Sequence, residues 1–341
     1  MSTDKVLVTG ASGFIGSHCI VKLLESGYQV RGTIRNMSRA DHLKEVIGKH
    51  TSYLDQLEFV AADLMKDEGW NEAVKGCKYV LHVASPVPIK LPKHEDELIK
   101  PAKEGTLRVL KACIDNEVIR LVLTSSIAAI CYGHQETGKT YTEADWSNID
   151  GEGVVAYPKS KTIAEKSAWD YLASQNSSLE MTAVNPSVVF GPALEKDFGS
   201  SLEIVRKLMA GEMPGAPKIA WPIVDVRDVA EMELLAMTSP AAPGNRYICA
   251  NDTMWISEIG EVLKQNFPAF KKKISTRTLP NWLVKLSAIF DPAVKSVITE
   301  LDNPQYVSSD KAKKELGWTC RSNEEAINSA AKSLIEYQIV K

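Results

Sequence analysis

The chain has 341 residues, 44% of them hydrophobic, and a formal net charge of −3, enough apolar material for one large domain or two modest ones. The near-neutral balance leaves no electrostatic footprint for nucleic acid, no run approaches the roughly 18 apolar residues of a membrane span, and "MSTDKVLVTG" has no signal-peptide layout. The six cysteines are scattered without a CxxC pair and without clustered histidines, so reduced, mostly buried thiols in a cytoplasmic protein are expected, with no metal site.

In chain order, "KVLVTG" reads as a first strand and "SHCIVKLLESG" as a helix closed by Gly27. Between them, in "TGASGFIGS", Gly10, Gly13 and Gly16 stand three apart. Glycine permits the tight turn and lets backbone amides approach a pyrophosphate, while the following helix N-terminus supplies partial positive charge. A Gly-rich turn without a ligand uses the same residues, but the strand-to-helix context is the one a dinucleotide loop needs. "YQVRGTIR" is a second strand, and it ends on Arg35, about 20 residues on, where an acid would accept from the ribose 2′-hydroxyl of NAD. An arginine there pairs instead with the 2′-phosphate of NADP, and Arg39 is placed to join it. "LEFVAAD" reads as a strand with Asp63 at its end, near the adenine ring or in a plain turn.

"YVLHVAS" and "RLVLTSS" are further strands, with "PAKEGTLRVLKACIDN" a helix between them. Ser126 stands just past the second of these, at the strand edge where ligands bind in doubly wound sheets. In "YPKSKTIAEK", Tyr157 and Lys161 are four apart and share one face of a helix that Pro158 lets begin near Tyr157. Each residue alone is ordinary. Together behind a phosphate loop they form a proton-transfer set. Tyr157 serves as general acid to a carbonyl oxygen and Ser126 holds that oxygen. Lys161 favours the phenolate by its charge and reaches the nicotinamide ribose. "LEMTAVNPSVVFG" reads as another strand.

After Pro186 prolines and glycines become frequent. "VDVRDVAEMELLAM" reads as a helix led by Asp225 or Asp228, "NRYICAND" as a strand rejoining the main sheet, and "SNEEAINSAAKSLIEY" as a helix with Ser322 and Glu325 at capping-box spacing. The expected fold is α/β: a Rossmann-type doubly wound parallel sheet with a smaller, discontinuous C-terminal substrate domain. Residues 1–186 form the dinucleotide-binding domain with 222–250 returning to it, and 187–221 and 251–341 form the substrate domain. Trp221, Trp255, Trp282, Met209, Met213 and Phe290 are candidates for an apolar pocket or for core.

The pieces "VTGASGFIGS", "VRGTIRN", "AADL", "HVASP", "EGTLRVLKAC", "VLTSS", "YPKSKTIAEK", "NPSVVFGP" and "VDVRDVA" resemble the extended short-chain dehydrogenase/reductase superfamily. More narrowly, the chain resembles its dihydroflavonol reductase-like group of NADPH-dependent aldehyde and ketone reductases. The resemblance implies a pyrophosphate loop of Gly10, Gly13 and Gly16 with Phe14 and Ile15 at its tip. It implies a 2′-phosphate contact at Arg35, adenine contacts at Asp63 and Leu64, and cofactor contacts at Val83, Ala84 and Ser85. It also implies Ser126, Tyr157 and Lys161 as the catalytic set, with Pro186 and Val189 bordering the nicotinamide. Cys131 stands where related plant flavonoid reductases carry a polar, substrate-reading residue, often Asn, which argues against a flavonoid. "VVAYPKSK" replaces the Asn-Trp-Tyr-Cys-Tyr signature of cinnamoyl-CoA reductases, which argues against an acyl-CoA ester.

The leading expectation is NADPH-dependent reduction of a small aldehyde or ketone, with no nucleic acid or membrane partner, and monomer and dimer both open. A nucleotide-sugar epimerase or dehydratase and a hydroxysteroid dehydrogenase are the enzymatic alternatives on the same fold. A non-enzymatic dinucleotide sensor is opposed by the presence of both Tyr157 and Lys161.

Overall fold

Alternation along the first strand sets the layering. In the computed structural model, which describes residues 4–86, 94–136, 138–289, 294–295 and 297–341, β1 (Lys5–Thr9) sends Val6 and Val8 to one face and Leu7 to the other, all fully buried. Strands buried on both sides are what a parallel sheet covered by helices requires. β2 (Gln29–Ile34), β3 (Leu57–Ala61), β4 (Tyr79–His82) and β5 (Arg120–Thr124) follow. Thr140–Tyr141 is β6, and Glu180–Pro186 is β7. β8 is Val188–Phe190, β9 Ala220–Asp225 and β10 Arg246–Cys249. The main sheet runs β10-β7-β5-β4-β1-β2-β3, parallel throughout, so the strand order reverses beside β1, where doubly wound sheets take ligands.

On the Val6 and Val8 side lie α1 (Phe14–Glu25), α2 (Ala40–Gly48) and α7 (Val226–Thr238), packed through Ile20, Leu43 and Met232. On the Leu7 side lie α3 (Trp70–Val74), α4 (Asp96–Asp115) and α5 (Ala156–Ser174), packed through Trp70, Leu110 and Ala168. Asp225 caps α7 by accepting the Arg227 amide at 2.8 Å. Asp228, the other expected leader, lies in the first turn and accepts the Arg321 amide at 2.7 Å.

The single strand expected through "LEMTAVNPSVVFG" is broken. Pro186, which has no N–H to donate, ends β7, and after Ser187 the chain enters β8, which pairs with β9 outside the main sheet. β11 (Thr253–Trp255) completes that small sheet. It packs with α6 (Glu203–Ala210), α8 (Ile256–Asn266) and the helix Asn323–Glu336 around Phe190, Met209, Ile259 and Leu334. Ser322 caps that last helix, accepting the Glu325 amide at 3.2 Å. β10 returns to the main sheet beside β7. Among the described residues no helix is long and apolar enough to cross a membrane.

Candidate active site

β1 delivers the chain into the glycine loop, and α1 begins at Phe14 with Gly13 as a cap that offers no side-chain acceptor. The first amides of α1 therefore keep free hydrogen-bonding capacity directed at the loop. Gly10 has φ +69°, a conformation side chains disfavour. A Cβ on Gly16 would come 2.3 Å from the Gly10 carbonyl oxygen, and one on Gly10 would come 3.1 Å from the Ala84 Cα. The loop is thus packed backbone on backbone, and one side is walled by the segment leaving β4. Phe14 and Ile15, the first two residues of α1, pack on the core, and Phe14 meets His18 edge to face at 5.7 Å.

Val83, Ala84 and Ser85 follow β4 directly. The Thr9 hydroxyl accepts the Ala84 amide at 2.9 Å and pairs with Nδ1 of His82 at 2.8 Å. This clasp ties the exits of β1 and β4 together. Burial, with a smaller effect from the Lys161 ammonium, lowers His82 to about 3, so its ring stays neutral.

Arg35 is exposed immediately after β2 and makes no hydrogen bond or ion pair among the described residues. Arg39, expected beside it, is engaged elsewhere, with Glu195 at 3.1 Å and Asp197 at 3.4 Å. Asp63 lies just beyond β3, its Oδ1 accepting the Met65 amide at 3.0 Å. Leu64 sits against Gly105, where a Cβ would come within 3.1 Å of its side chain. Each of these positions is at the C-terminal edge of the main sheet.

Ser126 leaves β5 and heads a short turn, Ile127–Ala129. Its Oγ accepts the Ala128 amide at 3.1 Å and donates to the Pro186 carbonyl at 3.5 Å. Tyr157 is the second residue of α5, 46% exposed, and Lys161 follows one turn later, half-buried. Neither side chain makes a hydrogen bond or ion pair among the described residues. The helix is held on the turn after β5 by Thr162, whose hydroxyl is 3.5 Å from the Ala128 carbonyl. Pro186 ends β7, and Val189, in β8, is buried with its carbonyl accepting from Ser201 at 2.5 Å.

Sequence reading missed the group that aims this helix. Glu165 continues the face of Tyr157 and Lys161 by one more turn and is 1% exposed. Its Oε2 accepts from Ser125 at 2.5 Å and from Asn185 at 2.9 Å, and its Oε1 accepts Arg246 Nε at 2.6 Å. The Asn185 amide also donates to the Ser126 carbonyl at 3.1 Å. Arg246, on β10, further donates to the carbonyls of Glu143 and Asp145 at 2.9 and 2.7 Å and stacks 3.7 Å from the Trp146 ring centre. The i+8 spacing from Tyr157 could have marked Glu165. Nothing local marks Arg246.

Beside the start of α5 is a cavity of about 70 Å³ whose wall includes Cys131, Tyr132, Val155 and Glu300. Of the expected pocket residues, Met209 is fully buried core and Met213 packs on the same cluster. Trp282 is 67% exposed, the Trp255 amide caps against Glu258 at 2.8 Å, and Phe290 lies outside the described residues. Trp221 reaches the cavity wall, its indole donating to Glu300. Apolar side chains serve a core and a pocket equally well, so composition alone did not separate them.

Residues 6–250 match the NAD dependent epimerase/dehydratase family. The chain is similar to the NADPH-dependent methylglyoxal reductase GRE2 of Saccharomyces cerevisiae, 30% identical with 98% of each chain covered. It is 35% identical to a putative anthocyanidin reductase of Ginkgo biloba, over 79% of this chain and 82% of that one. The crystal structure of yeast methylglyoxal/isovaleraldehyde reductase Gre2 complexed with NADPH superposes with a TM-score of 0.80 at 27% identity, covering 99% of this chain and all of the other. With its glycine loop, reversed strand order and Ser-Tyr-Lys set, the chain belongs to the NAD dependent epimerase/dehydratase family, within the extended short-chain dehydrogenase/reductases.

Proposed function

We propose that this protein is an NADPH-dependent carbonyl reductase that converts a small aldehyde or ketone to an alcohol. The observation that supports this reading is that Ser126 heads the turn after β5 while α5, with Tyr157 and Lys161 one turn apart, is held on that turn by Thr162, with an arginine, unpaired among the described residues, rather than an acid just after β2. The similarity to reductases named for NADPH supports it.

The residues present fit the cofactor. Gly10, Gly13 and Gly16 let the loop pack so tightly that a Cβ would press on its own backbone or on Ala84, and the amides that open α1 at Phe14 and Ile15 suit a pyrophosphate. Arg35 suits the 2′-phosphate, Asp63 and Leu64 the adenine, and Val83, Ala84, Ser85, Pro186 and Val189 the nicotinamide side. NADPH, when bound, supplies a hydride to the carbonyl carbon. Tyr157 gives its phenolic proton to the carbonyl oxygen as that oxygen gains charge, and is left as a phenolate facing the Lys161 ammonium. Ser126 donates a hydrogen bond to the same oxygen. Lys161 also holds the ribose hydroxyls next to the nicotinamide.

The dinucleotide-binding unit of this reading is 1–186 with 222–250, and the substrate unit is 187–221 with 251–341. A cytoplasmic location fits the scattered free thiols. The family's own description favours a second reading, epimerase or dehydratase chemistry; Arg35, where an NAD-type enzyme carries an acid, opposes it.

The test is NADPH consumption with a panel of aldehydes and ketones. Turnover is expected, and Tyr157→Phe lowers kcat by about 10²- to 10⁴-fold while NADPH still binds. No turnover with any carbonyl, with a nucleotide sugar released on denaturation, would replace this reading by the epimerase.

A further inference from the structure

The cavity beside α5 is polar where a purely apolar carbonyl would want it dry. Val154 and Val155, the residues leading into α5, form one side of it, and the turn Ile298–Glu300 forms another. The two sides touch: a Cβ on Gly153 would come 2.7 Å from Thr299 Cγ2. Val155 in this wall lies two residues before Tyr157, which is close enough to Tyr132 for their charges to interact. Into the cavity face two polar groups with spare capacity. The Glu300 carboxyl uses Oε2 to accept the Trp221 indole, and its Oε1 makes no hydrogen bond among the described residues. The Tyr132 hydroxyl likewise makes none. An acceptor and a phenol with no protein partner among the described residues suit a ligand group that both gives and takes a hydrogen bond.

We infer that Glu300 and Tyr132 form a polar subsite that selects carbonyl substrates carrying a hydroxyl group away from the reacting carbonyl. The inference rests on the reductase reading and names the substrate class of that same site. A hydroxyl donates to Glu300 Oε1 and accepts from Tyr132, while the carbonyl end reaches Tyr157 and Ser126. Protonation states agree. Burial raises Glu300 to about 7, with the Trp221 indole opposing it. Burial, then Glu300, Cys131 and Tyr157, raise the Tyr132 phenol well above its usual value. A carboxyl that is readily neutral is a poor counter-ion for an ammonium and a good partner for an alcohol. Cys131, in the same wall, is taken up by its own turn, donating to the Ile127 carbonyl at 3.3 Å.

The experiment uses hydroxyketones of increasing length, each paired with the alkanone in which a methyl replaces the hydroxyl; 4-hydroxy-2-butanone and 2-pentanone are the first pair. The wild type should favour the hydroxylated member about tenfold in kcat/KM, the worth of one hydrogen bond to a chargeable group. In Glu300→Leu the ratio should fall to about one. Glu300→Gln, which keeps an acceptor for the Trp221 indole and turns an amide N–H to the ligand, should lower the preference with the fold intact and guards against a folding artefact. Calorimetric titration of the matching diols and mono-alcohols into the protein with NADP⁺ reads the subsite without turnover. A diol preference that Glu300→Leu abolishes supports the subsite even if no ketone is reduced, in which case the reductase reading alone falls. An unchanged ratio in Glu300→Leu by both measures, or an aminoketone preferred over its hydroxyketone, would overturn the inference.

Discussion

On the proposed reading, a single residue decides which nucleotide the site prefers. Arg35 stands exposed and unpaired among the described residues while Arg39 is already held by Glu195 and Asp197, so discrimination for a 2′-phosphate falls on one guanidinium. Arg35→Ala is expected to weaken NADPH by roughly ten- to a hundredfold, the worth of a charge-assisted pair, and NADH by little. Fluorescence titration of both nucleotides checks this, and equal losses would remove Arg35 from the role. Arg35 could be proposed from the sequence because an elementary spacing rule points to the end of the second strand. Glu300 was not, because no spacing rule connects a lone glutamate in a short turn to a tyrosine more than a hundred residues earlier in the chain. The aromatic and methionine candidates stayed open between pocket and core for a different reason: burial in the second core claims Met209 as readily as a pocket would.

Among the elements, α5 carries two of the three proposed catalytic residues. Tyr157 and Lys161 lie along one stripe, and Glu165 at the end of it is locked by Ser125, Asn185 and Arg246. Removing one partner of a buried ion pair leaves the other charge uncompensated, at about 3–5 kcal/mol. Arg246→Met is therefore expected to destabilise the fold by that order in chemical denaturation and to lower kcat through misalignment of α5. Adding Glu165→Leu to Arg246→Met should recover much of the stability and little of the rate. Full recovery of kcat would show that the pair does not position the helix. Strand and helix identities in the first half were readable from short apolar runs and helical spacing. The split of β7 from β8 was not: the apolar pattern continues across Ser187, and only pairing with β9 shows the change of sheet.

For the molecule as a whole, an unused buried acid shapes stability. Glu233, fully buried, accepts from Thr124 at 2.6 Å with Oε1, while Oε2 has no partner among the described residues. Burial raises it to about 8 from an ordinary 4.5, against the Thr124 hydrogen bond. Below 4.5 both folded and unfolded chains hold this proton. Between 4.5 and about 8 only the folded chain does, so stability falls as pH rises through that window and then levels. The loss is on the order of a few kcal/mol. Glu233→Gln, which keeps an acceptor for Thr124, should flatten the decline, as read by thermal melts from about pH 5 to 9; an equally steep decline would assign it to other groups.

The Glu165–Arg246 pair also imposes an order in time. A nascent chain that has emerged only through β7 already carries the tyrosine, the lysine and the glutamate, but the cation that neutralises the glutamate is still untranslated. The helix that carries Tyr157 and Lys161 therefore gains its full set of partners only once β10 is made, and a fragment ending at β7 leaves Glu165 without its cation.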